Sequence, residues 1–103
     1  MVKEIKAIIQ PFIVRPVLEA LANVGQLPAA TISQVQGFSI VHPDYEPRVK
    51  TKLEIMVPDE LVEPVVQALQ KHAHTGHPGE GCILVINVED IVKIRTGEHG
   101  TAM

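Results

Sequence analysis

The residues best suited to chemistry lie in Thr75–Arg95, TGHPGEGCILVINVEDIVKIR. Gly79, Glu80 and Gly81 set an acid between two glycines. The backbone N–H groups of such a loop can turn toward an anion. Downstream, the KIRTG of Lys93–Gly97 supplies Lys93 and Arg95 as cationic partners for phosphate. Taken singly, the loop reads as a turn and the two cations as solvated charges flanking Ile94. A second group is His72, His74 and His77, with Cys82 close by. Imidazole and thiolate ligands suit zinc, copper or nickel. The H-x-H-x-x-H spacing, however, runs from a helix end into a loop, where histidines also answer the helix dipole. His77 has phosphate as an alternative partner, and Cys82 reads equally as a small apolar residue at a strand start. His42 and His99 read as surface residues. No nucleophile–base pair is legible, so no catalytic residue is assigned and no enzyme is expected.

Composition narrows the class. A chain of 103 residues fits one domain over 1–103 with a modest core. A net charge of −3 and the lack of a basic stripe argue against nucleic acid as a partner. Phe12, Phe38 and Tyr45 are the only aromatics, too few for base stacking. The single cysteine excludes an internal disulfide and fits a reducing cytoplasm. The opening MVKEIKAIIQPF is too polar for a signal peptide, and no run has transmembrane length, so no direct membrane insertion is expected.

The elements that must position these residues follow from periodicity. Ile-rich Lys3–Gln10 predicts a strand. Val17, Leu18, Leu21 and Val24 mark one face of a helix over Val14–Val24, with Pro16 in its first turn and Gly25 as its stop. Ala30–Phe38 predicts a second strand and Ser39–Val49 a loop. In Lys50–Val57, Lys50, Lys52, Glu54 and Met56 alternate with Thr51, Leu53, Ile55 and Val57, a third strand with two unlike faces. Asp59 is placed to cap a second helix running to about His72 on Val62, Val65, Val66 and Leu69, with Pro64 removing one backbone bond. Cys82–Val88 predicts a fourth strand and Ile91–Arg95 a short fifth. The fold class is therefore α+β: a ferredoxin-like βαββαβ sandwich, a four-stranded antiparallel sheet with two helices on one face. The uncovered face and the sheet edges need partners, which closed symmetry supplies.

Four segments stand in the order of a known family: AIIQPF at Ala7–Phe12, VQGF at Val35–Phe38, TGxxGxG at Thr75–Gly81 and IRTG at Ile94–Gly97. Over nearly its whole length the chain resembles the PII signal-transduction proteins (nitrogen regulatory protein P-II and relatives). The resemblance implies a cytoplasmic homotrimer that binds ATP, ADP or AMP between subunits. It also implies a flexible loop that controls a protein target such as a membrane transporter or a carbon/nitrogen metabolic regulator. By the same resemblance Thr31, Gly37, Phe38, Glu54 and Met56 fall where adenine and ribose are held, Met56 through its backbone. Gly79, Glu80 and Gly81 fall in the phosphate loop. Lys93 and Arg95 fall where a neighbouring subunit reaches the phosphates, with lysine replacing the usual arginine and losing its bidentate fork. Ser39, His42, Tyr45, Arg48 and Lys50 fall in or beside the regulatory loop.

Three departures from the pattern stand out. Cys82 occupies a position usually held by a phosphate-gripping lysine or arginine. The loop between the second and third strands is much shorter than the family's. Ser39, Ile40 and Val41 replace the arginine and glutamine that help hold magnesium and 2-oxoglutarate, although Lys50 keeps one lysine of that site. ADP or AMP is thus expected to bind at least as well as ATP, without 2-oxoglutarate sensing and with magnesium open. Short-loop relatives leave two further expectations: bicarbonate as a co-effector, or a metal-responsive trimer linked to metal efflux.

Overall fold

A computed structural model describes residues 2–41, 47–76 and 81–100. Strand β1 (Val2–Ile9) leads through a 3-10 turn (Pro11–Ile13) into helix α1 (Val14–Val24). Strands β2 (Thr31–Gly37) and β3 (Arg48–Pro58) follow, then helix α2 (Asp59–Ala73) and strand β4 (Ile83–Asn87). The sheet runs β2-β3-β1-β4 with every neighbour antiparallel. The ferredoxin-like arrangement expected from the sequence is the one observed.

Alternation explains why one face is covered. Thr51, Leu53, Ile55 and Val57 on β3, with Ile5, Ala7 and Ile9 on β1, are buried beneath the helices. Val17 and Leu21 of α1 and Val65 and Leu69 of α2 close over them. Leu18, read from the sequence as part of the α1 stripe, instead lies at its margin, 37% exposed. The other face carries Glu4, Lys6, Lys50, Lys52, Glu54 and Met56, all half-exposed. Period-two side-chain alternation thus separates an apolar inner surface from a charged outer one.

Three expectations need correction. Arg48 and Val49 do not belong to the loop: they pair with Gly37 and Gln36 in the β2–β3 ladder, while Lys50, expected at the start of the third strand and beside the regulatory loop, pairs with Val35. Pro47, which has no N–H to give a ladder, stands just before this strand. Ile91–Arg95 forms no fifth strand. Val92 makes one isolated bridge with His99, and the chain then turns so that the Gly97 N–H donates to the Lys93 carbonyl at 2.8 Å. Finally, Asp59 makes no cap. Pro58 holds that place, and Asp59 is the first residue of α2.

The Asp59 carboxylate accepts a 2.8 Å hydrogen bond from the Lys3 ammonium, tying β1 to the start of α2. That bond holds its carboxyl below the ordinary 3.8. A carboxylate with a depressed folded-state pKa stabilises the fold above its unfolded pKa and loses that contribution as pH falls through the folded value. Denaturant midpoints should therefore stay level across neutral pH and decline below about pH 4, and Asp59→Asn should flatten part of that decline.

Candidate functional site

The open face and the two ends of the sheet hold the expected site residues, but in separate groups. Thr31 pairs with Glu54 and Glu4 with Met56. Thr31, Glu54 and Met56 line one cleft of about 330 Å³ together with Glu4, Pro28 and Ala29. Glu54 lies between two lysines, 4.0 Å from Lys6 Nζ and 3.7 Å from Lys52 Nζ. All three side chains are partly solvated, so the pairs orient the carboxylate more than they stabilise the fold. The cleft offers a hydroxyl, a carboxylate and strand backbone, and its size falls in the range that takes a small organic ligand.

Gly81 and Cys82 sit at the other end. They pass over the end of β1, where the Ile8 N–H donates to the Cys82 carbonyl at 3.1 Å. A Cβ on Gly81 would collide with the Ile8 carbonyl, lying 2.8 Å from its carbon. This glycine is thus fixed by packing as well as suited to a ligand loop. A second cleft of about 300 Å³ opens here, lined by Ile8, Gln70, Ala73, His74, Gly81 and Cys82. The Cys82 thiol is exposed. Gly79, Glu80 and His77 of the same loop lie outside the described residues, as do His42 and Tyr45.

Gly37 and Phe38 lie at this same end of the sheet, but on β2, with β3 and β1 between them and β4. Six residues of extended strand, about 20 Å, separate Gly37 from Thr31. One subunit therefore does not gather Thr31, Glu54, Met56, Gly37 and Phe38 around a single base. Gly37 instead neighbours Lys50, whose Cγ would stand 3.6 Å from a Cβ there. Phe38, Ile40 and Val41 are exposed where the chain leaves β2, and Ser39 lies among them.

Lys93 and Arg95 are also remote from Gly81 along the chain. β4 starts opposite Ala7 and finishes opposite Lys3, so it carries the chain about 13 Å toward the far end of the sheet. There the Val88 N–H donates to the Val2 carbonyl, and the exposed segment with Lys93 and Arg95 follows. Gly81 and the start of the segment that carries Lys93 and Arg95 thus lie at opposite ends of β4.

Of the metal candidates, His72 is exposed in the last turn of α2, and His74 follows that helix, its N–H donating to the Gln70 carbonyl. His74 and Cys82 share the second cleft. Among the described residues no group of three or more His, Cys, Asp or Glu side chains is arranged to hold a metal. Sequence reasoning missed the lysines around Glu54. It also missed a 2.7 Å contact between His99 Nδ1 and Asp90 Oδ2. The alternation of β3 puts Lys52 and Glu54 on one face, but Lys6 beside Glu54 and the Asp90–His99 contact carry no sequence signal, because cross-strand and turn-closing pairs are set by register.

Comparison with known proteins decides the family. The family model described as nitrogen regulatory protein P-II matches residues 2–98. The chain belongs to the P-II family. It is 40% identical to the nitrogen regulatory protein P-II of Azospirillum brasilense, covering 95% of this chain and 96% of that protein. It is 38% identical to nitrogen regulatory protein P-II 1 of Escherichia coli K12, covering 97% of each. A crystal structure of Arabidopsis thaliana PII bound to citrate superposes with a TM-score of 0.84 at 34% identity, over 96% of this chain and 88% of that one. The Azospirillum alignment runs over 112 positions against 103 residues here, so that P-II protein carries residues this chain lacks. No helix among the described residues is long and apolar enough to cross a membrane.

Proposed function

We propose that this P-II family member is a non-enzymatic, cytoplasmic regulator of one domain. It forms a closed homotrimer and binds an adenine nucleotide between adjacent copies. The observation that carries this reading is the division of the site. Thr31, Glu54 and Met56 share one cleft, Gly81 and Cys82 lie at the other end of the sheet, and Lys93 and Arg95 follow the far end of β4. A ring of copies, each presenting one end to the next, would bring such halves together, whereas one copy would not. In that arrangement Thr31, Glu54 and the Met56 backbone hold base and ribose. The 79–81 loop supplies N–H donors to phosphate, and Lys93 and Arg95 supply charge.

Cys82 brings a neutral thiol to the phosphate end in place of a cation, so that ADP or AMP binds at least as well as ATP. Bound nucleotide orders the segment between β2 and β3, whose flank exposes Phe38, Ile40 and Val41 for contact with a target protein such as a transporter or metabolic regulator. Calorimetric titration with ATP, ADP and AMP, each with and without magnesium, bicarbonate and 2-oxoglutarate, tests this. ADP and AMP should bind at least as tightly as ATP, and 2-oxoglutarate should change nothing. No heat from any nucleotide rejects the reading.

The cleft shared by His74 and Cys82 favours a second reading, a metal-responsive trimer linked to metal efflux. Zinc or copper(I) binding in the same calorimeter, with silent nucleotides, would select it.

A further inference from the structure

The residues after β4 form a hairpin held almost wholly by polar bonds. The Lys93 N–H donates to the Glu98 carbonyl at 2.9 Å, and the Gly100 N–H to the Ile91 carbonyl at 2.9 Å. At the turn the Glu98 N–H donates to Thr96 Oγ1 at 3.2 Å. Its apolar side chains give little support: Val92 is 49% exposed and Ile94 fully so. Across the base, Asp90 makes two contacts. Its Oδ1 accepts the Ile91 N–H at 2.9 Å, and its Oδ2 meets His99 Nδ1 at 2.7 Å. One carboxylate thereby joins both arms of the hairpin that displays Lys93 and Arg95.

We propose that Asp90 and His99 form a pH-sensitive clasp that positions Lys93 and Arg95 for an anionic ligand, with His99 as the positioning residue. The proposal rests on the nucleotide reading for the identity of that ligand, but not for the clasp itself. Histidine is the side chain that gains or loses charge near neutrality. With the imidazole protonated, the contact is a charge-assisted bond, and with it neutral the ion pair is gone. The His99 hydrogen bond holds the Asp90 carboxyl below the ordinary 3.8, and the Ile91 and Gly100 N–H groups act in the same direction. The other charged side chains of the hairpin are Glu89, Lys93, Arg95 and Glu98. Among the described residues no charged side chain from another element acts on Asp90, and Asp90 is the ion-pair partner of His99.

The test uses the full chain as His99→Gln, which removes the cation, and His99→Arg, which keeps a cation at every pH. Amide-exchange protection of Lys93 and Gly100 reads the hairpin directly, and ADP calorimetry reads the ligand. At about pH 6 His99→Gln should lose roughly threefold in protection and in ADP affinity, the scale of one exposed ion pair, while His99→Arg should match the parent. Toward about pH 8.5 the parent should fall to the level of His99→Gln, whereas His99→Arg should hold its value. Comparison with His99→Arg removes the titration of ADP itself. Identical pH profiles for the parent and His99→Arg overturn the proposal. So does unchanged protection in His99→Gln. No ADP heat in the parent at any pH sinks the nucleotide reading, and the protection factors alone then decide the clasp.

Discussion

Gly81→Ala is expected to destabilise the fold by about 3 kcal/mol or more, the largest effect of a methyl added at any of the described glycines. Two costs combine. The backbone there has φ +102°, a region that side chains rarely adopt. The added carbon would also fall against the Ile8 carbonyl, which is backbone of the interior strand β1 near its end and has no flexible end to swing away. Relief would mean moving the chain off β1, losing the Ile8–Cys82 hydrogen bond and the first pairing of β4. Gly97→Ala is the control. Its φ of +73° is also left-handed, but nothing lies within 4 Å of an added carbon. That substitution should cost only the conformational penalty, about 1–2 kcal/mol. Denaturant unfolding of both variants at one fixed protein concentration makes the comparison, since assembly would otherwise shift the midpoints. Equal losses would show that the contact with Ile8 is not the cause.

Arg95→Ala should weaken ADP binding by roughly tenfold to hundredfold, the range for loss of a hydrogen bond to a charged group. Arg95 is exposed and makes no ion pair among the described residues, so its removal should leave the unfolding midpoint nearly unchanged. That pairing of a large affinity loss with intact stability separates a ligand contact from a structural one. Affinity equal to the parent's would remove Arg95 from the phosphate assignment. A fallen midpoint would mean that the side chain supports the hairpin.

The sequence made the scaffold legible where periodicity was long and caps were clear. Val14–Val24 was bounded correctly because Pro16 and Gly25 punctuate it, and β3 was readable because its unlike faces alternate from Lys50 to Val57. Ile91–Arg95 alternates in the same way, yet five residues cannot report whether a neighbouring strand is there to pair. The sequence makes the loop two residues too long for a related reason: Arg48 and Val49 are both exposed, so hydropathy gives no sign that they already pair with β2. The position of Asp59 suggests a cap, but Lys3, distant in sequence, takes its carboxylate instead. Four short segments in order identified the family, and residue types pointed to the site's parts. Their distribution over two ends of the sheet was not legible, because it depends on the path of β4 across β1.

That path has a bearing on inheritance. Cys82 and the basic hairpin are separated by the length of β4, far enough for substitutions in one chain to act independently on stability. A substitution can therefore change the chemistry at one end without disturbing the stability of the other. One gene specifies every copy, so each such change enters all the equivalent positions of a symmetric assembly at once. Innovation at either end is thus cheap to try and uniform in its result.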